Sequence, residues 1–183
     1  MTRWTGWMAG LALALASFGA DGSSSAATPP AGGTIAIEPM TADGEYDPTL
    51  HIFADAASQA LTAKGFTVFN DPAHAAYWGE LILSRAAVGT GLAKDPHAPS
   101  ISAGAGLVVP MSTGNSTVVT LQRTRLELRI RKRDEKAAVW DGTAVTVRAT
   151  GTRKGADETV ASDLSAALLH AYPVQPEDVV GVP

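Results

Sequence analysis

An α+β layer fold is predicted, a mostly antiparallel sheet of about five strands with two helices packed on one face. Three observations predict it. Two segments repeat apolar residues at helical spacing, several others alternate or run rich in β-branched residues, and their order is strand, helix, three or four strands, helix. No repeat of roughly 20 to 50 residues recurs, which excludes solenoids and propellers.

The opening stretch "MTRWTGWMAGLALALASFGADGSSS" carries no charge between Arg3 and Asp21 and is densest in Leu and Ala from Met8 to Ala16. A spanning helix needs roughly 20 apolar residues, whereas an export signal needs a basic start, an apolar stretch of about 7 to 15, and small residues at the cut. Residues 1–19 therefore read as a signal peptide, cut before Ser17 or before Ala20. An uncleaved anchor helix is the alternative. Residues 20–33, with Pro29 and Pro30 among small turn-forming residues, read as a flexible tether.

A single domain is expected over residues 34–173. "TIAIEPM" sets Ile35 and Ile37 on one side of a short strand that leaves the sheet at Pro39. Asp47 and Pro48 supply an N-cap and a first-turn proline, and Leu50, Phe53, Ala54, Ala57 and Leu61 keep helical spacing until Lys64 and Gly65 close the helix. "FTVFND" is a second strand, and Ala76 to Val88 a longer one. The Gly-, Ser- and Pro-rich stretch at about 89–116 reads as a mobile or hairpin-like insertion, with an apolar lip at Val108–Met111.

From Thr117 to Arg131, Leu126, Leu128 and Ile130 face one way, and Arg125, Glu127, Arg129 and Arg131 face the other. "KRDEK" turns the chain into a partner strand, Val139 to Thr150. Val160, Leu164, Ala167, Leu168 and Ala171 form the second helix, which ends at Pro173, and residues 174–183 read as a C-terminal tail.

The totals narrow the function classes. The 183 residues, 45% hydrophobic, can build a real core, and a net charge of −4 offers nothing to nucleic acid. Absence of cysteine removes disulfides, thiolate chemistry and thioether lipidation.

"LELRIRKRDEKAAVWDGTA", with Val139-Trp140-Asp141-Gly142, resembles the hairpin of a bacterial envelope family called domain of unknown function 4136, where a strand ends in an acidic turn and resumes with V-W-x-G. "ALTAKGFTVFNDPAHAAYWGEL" and "ALLHAYP" are similar to that family's helix-and-strand segment and closing helix, so the resemblance runs from about Thr34 to Pro173. It implies an envelope protein with no enzymatic role. Family members look like lipoproteins, whereas Phe18 stands here where the lipid-bearing cysteine would be.

Chemical constellations are sparse. His51, His74, His97 and His170 lie apart; His51 and Asp55 share a helical face, but zinc needs three or four ligands. No serine sits in G-x-S-x-G, and Asp163 and His170 are two helical turns apart, too far to join Ser162 in a triad. Gly104 and Gly106 precede "LVVP" instead of opening a helix, a weak phosphate signal. Glu38, Glu45, Asp71 and Glu80 are carboxylates with no pairing readable from sequence.

The arginine row Arg123, Arg125, Arg129 and Arg131 is the most specific polar feature and the candidate interaction face. It suits another envelope protein or an acidic envelope polymer, or else forms a solvated face with cross-strand pairs such as one to Asp141. Trp78 and Trp140 read as structural, or as the two walls of a sugar or peptide groove. The expectation is an exported, non-lipidated, non-enzymatic interaction or structural module, periplasmic or peripherally bound to the envelope, with no cofactor and no stable transmembrane span. The alternative is a small-ligand or glycan binder using the open sheet face and the insertion.

Overall fold

The computed structural model describes residues 28–94 and 116–183. The signal peptide, most of the tether, and the insertion's centre with His97, Gly104, Gly106 and Met111 lie outside the described residues. The elements are β1 (Gly33–Thr41), α1 (Leu50–Ala63), β2 (Phe66–Phe69), β3 (Tyr77–Lys94), β4 (Ser116–Lys132), β5 (Ala138–Ala149), α2 (Asp157–Leu168) and β6 (Val180–Val182). The fold is α+β, as the pattern of elements predicts.

The sheet has six strands in the order β2-β1-β3-β4-β5-β6. It is mixed: the long β3-β4 and β4-β5 ladders, which supply most of the pairing, are antiparallel, while β1-β2, β1-β3 and β5-β6 are parallel. Parallel neighbours need a crossover, and both helices serve as one: α1 connects β1 to β2, and α2 connects β5 to β6.

Four boundaries differ from the sequence reading, the first being that α2 ends at Leu168, short of Pro173, and leaves Ala171 exposed in the turns that follow. Pro39 does not end β1, because it pairs with Leu81 and the strand continues to Thr41. β2 covers β1 only as far as Ala36, so a missing amide at Pro39 faces an edge with no neighbour to serve. The insertion's flanks are strand: β3 reaches Lys94 and β4 begins at Ser116, with a bulge between Ala87 and Gly89. The tail contains β6, where Val182 lies beside Thr146, whose hydroxyl donates to the Val182 carbonyl at 2.8 Å.

The core lies between the sheet and the two helices. α1 contributes Phe53, Ala57 and Leu61 and α2 contributes Val160, Ala161, Leu164 and Leu168. The sheet answers with Ile35, Leu81, Leu83, Leu126, Leu128, Ile130 and Trp140. Register makes one layer of them: Leu81 is opposite Leu128, Leu83 opposite Leu126, and Ile130 opposite Trp140. Gly142 explains the W-x-G spacing, since a Cβ there would meet Trp140 Cη2 at 2.6 Å.

Polar and aromatic clasps close the edges of this layer. Trp140 Nε1 donates to the Val174 carbonyl at 3.1 Å, and the Trp140 ring meets Tyr172 edge-on at 5.3 Å. Tyr172 donates to the Pro30 carbonyl, and burial pushes its phenol up to about 12. Arg85 binds Asp157 at 2.7 Å and Asp47 at 3.7 Å with its guanidinium over the Phe53 ring, so it ties the starts of both helices to β3. Thr49, not Asp47, is the N-cap of α1, and Asp47 braces it from two residues upstream: its Oδ1 accepts from both the amide and the hydroxyl of Thr49.

Candidate functional site: the helix-free sheet face

Strand alternation sends every second residue of β1, β3, β4 and β5 away from the helices. The register orders them into rows. Ala36, Trp78, Arg131 and Ala138 form one; Glu38, Glu80, Arg129 and Asp141 the next; Met40, Ile82, Glu127 and Thr143 the third. Arg125 and Arg123 continue β4 beyond them, opposite Val145 and Val147. All four predicted arginines therefore do share one face, and no helix covers it.

Their partners are not those the sequence suggests. Arg129 lies opposite Asp141 in register, yet turns along its own strand, where Nε donates to Glu127 Oε1 at 2.7 Å. Arg125 reaches the same carboxylate at 3.2 Å, so Glu127 stands between two guanidiniums. Asp141 is held instead by Gln175, whose Nε2 donates to the Asp141 carbonyl at 2.6 Å and to its side chain at 3.0 Å. A neighbour two residues along a strand competes well with one across the ladder when a long side chain can bend to it.

Arg131 is set differently. Its guanidinium lies 4.9 Å from the centre of the Trp78 ring and binds Glu80 at 3.0 Å. Trp78 in turn donates from Nε1 to Glu38 at 3.0 Å. The indole, guanidinium and two carboxylates form one connected cluster in which the ring orientation is fixed from both ends. Trp78 is half-buried here and Trp140 is 1% exposed on the opposite face, so the two tryptophans do not line a common groove.

Beside this cluster a cleft of about 380 Å³ opens between Trp78, Arg131, the Arg133–Lys136 turn, and Pro72 and Ala73. A bulge in the β4-β5 ladder, where Ile130 faces Trp140 but Arg131 faces Ala138, lies at its edge. Arg133 is held by its amide, which donates to the Ala76 carbonyl at 2.9 Å, and by Nη2, which donates to the Pro72 carbonyl at 3.0 Å and to that of Ala73. Lys132 pairs with Glu135 at 3.1 Å, which raises its pKa. Sequence reading took "KRDEK" for a turn alone; nothing local to it reports that the Pro72–His74 turn and Trp78 come alongside.

The other candidates do not assemble. Glu38 and Glu80 are neighbours across β1 and β3, each engaged by its own partner, while Glu45 and Asp71 are elsewhere. Asp71 accepts from the Ala73 amide at 2.8 Å and binds His74 at 3.0 Å; these contacts, with the charge of Arg133, hold its carboxyl below the ordinary value despite some desolvation. His51 Nδ1 bonds the Pro48 carbonyl, Asp163 pairs with Arg148 at 3.1 Å, and the His170 carbonyl accepts from Lys64. Among the described residues no three His, Asp or Glu side chains converge on a metal position, and no helix is long and apolar enough to cross a membrane.

No family model and no curated protein matches the chain, so the resemblance to domain of unknown function 4136 stands on the quoted residues alone. Among solved structures the chain is similar to a PelC dodecamer from Paraburkholderia phytofirmans, with 14% identity, a TM-score of 0.43, and coverage of 78% of this chain and 90% of that one. It is also similar to a putative neuraminyllactose-binding hemagglutinin homolog from Helicobacter pylori, with 12% identity, a TM-score of 0.37, and coverage of 67% and 69%. A third is a Xanthomonas campestris protein of domain of unknown function 330, with 12% identity, a TM-score of 0.36, and coverage of 80% and 82%. At TM-scores below 0.5 these likenesses assign neither a family nor a function.

Proposed function

We propose that this chain is an exported, non-catalytic envelope domain that docks its partner, another envelope protein or an acidic envelope polymer, through the helix-free sheet face. One observation carries the reading. The uncovered face bears Arg123, Arg125, Arg129 and Arg131 with a half-buried Trp78; Glu127 holds Arg125 and Arg129, Glu80 holds Arg131, and Glu38 holds Trp78. Exposed cations that are already oriented lose little side-chain entropy when a partner arrives, and an aromatic among them adds contact area. Export rests on the signal-like opening segment, and absence of lipid on absence of cysteine.

A photo-crosslinking amino acid placed at position 129, in cells that produce the protein, tests this. Adducts are expected from position 129 and not from Gln59 on the outer side of α1. Adducts from Gln59 alone, or from neither position, would overturn the reading.

A further inference from the structure

We infer that the cleft between Trp78 and the β4-β5 turn is a subsite for a carboxylated sugar, one uronate unit of an acidic envelope polymer. This rests on the docking-face reading above and names its ligand chemistry. The argument begins with charge. Four cations and two carboxylates, Asp134 and Glu135, line the cleft; Glu80 answers Arg131 and Glu135 answers Lys132, which leaves Arg133 and Lys136 with Asp134 as the one remaining acidic lining residue. Arg133 donates only to the Pro72 and Ala73 carbonyls, which are neutral, and Lys136 has no carboxylate within ion-pair distance among the described residues. Asp71 is close enough to feel the Arg133 charge, but its oxygens are taken by Ala73 and His74.

Arg133 is also preorganised. Its amide and Nη2 are anchored, while Nε and Nη1 have no partner among the described residues. Both two-pronged edges of a guanidinium use Nη2, which the two carbonyls occupy, so Nε or Nη1 offers a carboxylate oxygen one charge-assisted hydrogen bond from a fixed position. Lys136, on the same turn, adds a second positive charge without fixing direction.

Shape selects a sugar over an acidic peptide. Trp78 is the one aromatic residue lining the cleft; Glu38 fixes its N–H, Arg131 covers one face of its ring, and the ring surface that stays exposed is what a ligand can meet. A pyranose ring presents a flat C–H face that such a surface accommodates, while its carboxylate reaches the turn; an aspartate side chain has nothing to lay on the indole. About 380 Å³ falls within the range of small-ligand sites.

The test is an amide and indole NMR titration of the exported chain at low salt, with digalacturonate as probe and maltose, hexa-aspartate and inorganic phosphate as comparisons. Digalacturonate should shift the Trp78 indole and the Arg133–Lys136 amides, and maltose should not. Arg133→Gln and Lys136→Gln should each weaken binding by about tenfold, as expected for losing one charge-assisted contact. Lys136 is exposed on a turn, so its variant keeps the fold even if Arg133→Gln does not. No response to digalacturonate, equal affinity in Lys136→Gln, or tighter binding of hexa-aspartate or phosphate would overturn the subsite. Loss of digalacturonate binding with crosslinks from position 129 intact removes the subsite and leaves docking; the converse removes docking and leaves the subsite.

Discussion

Trp140 and Trp78 lie on opposite faces of one sheet and live under opposite rules. Trp140 is packed against Tyr172 and over Gly142, with its single N–H given to a backbone carbonyl. Trp78 gives its N–H to a carboxylate and one side of its ring to an arginine, and keeps part of its surface open. The covered face obtains order from exclusion of water. The open face obtains it from a lattice of charges that still meets solvent, where each pair contributes little to stability.

The largest expected effect breaks the covered side. Trp140→Ala should destabilise by about 3 to 5 kcal/mol in chemical denaturation; a loss under about 1 would mean that the ring is not core. Gly142→Ala follows at about 1 to 3 kcal/mol, because the new methyl is driven into the Trp140 ring. If its midpoint matches the parent protein, the close approach of strand and indole is refuted.

A smaller effect concerns the cap that seats α1 under the sheet. Burial raises the Asp47 carboxyl, but the Thr49 hydroxyl and amide and the Arg85 charge outweigh it and leave the carboxyl below its ordinary value of 3.8. A group lowered in the folded state contributes stability that is complete above its unfolded value and drains as pH falls through the folded one. Asp47→Ala should cost about 1 kcal/mol at neutral pH, and the gap to the parent should close on acidification below that ordinary value. A gap independent of pH would show that the charge has no part in it.

The smallest effect sharpens the comparison from the open side. Arg129→Gln should change thermal stability by no more than about 0.5 to 1 kcal/mol, with circular dichroism unchanged, since the arginine side chain is 50% exposed. Collapse of the fold would mean that the arginine row is structural.

Both helices and the wet-and-dry alternation of β4 were legible because each is a local period: Phe53, Ala57 and Leu61 along a helix, Leu126, Leu128 and Ile130 along a strand. β6 was not, because three residues carry no period; its ladder with β5, the packing of Val180 and Val182 on the core, and the Thr146 hydroxyl hold it. The four arginines could be assigned to a face, but their partners could not: whether Arg129 meets Asp141 or Glu127 depends on rotamers and on Gln175, which is distant in sequence. The cleft was invisible for the same reason, since Pro72, Trp78 and Arg133 meet only through the β3-β4 register and the turn preceding β3.

By itself the sequence determined the class of fold, the covered faces of both helices, β1 and β4, the absence of any thiol, and the signal-like pattern of its opening segment, all of which depend on residue type and spacing along the chain. Tertiary structure decided the mixed pairing of the sheet, the separation of the two tryptophans, and the joining of Trp78, Arg131 and Arg133 around one cleft. Those outcomes depend on which strands lie side by side and in what register, and that choice is made by packing the whole core at once.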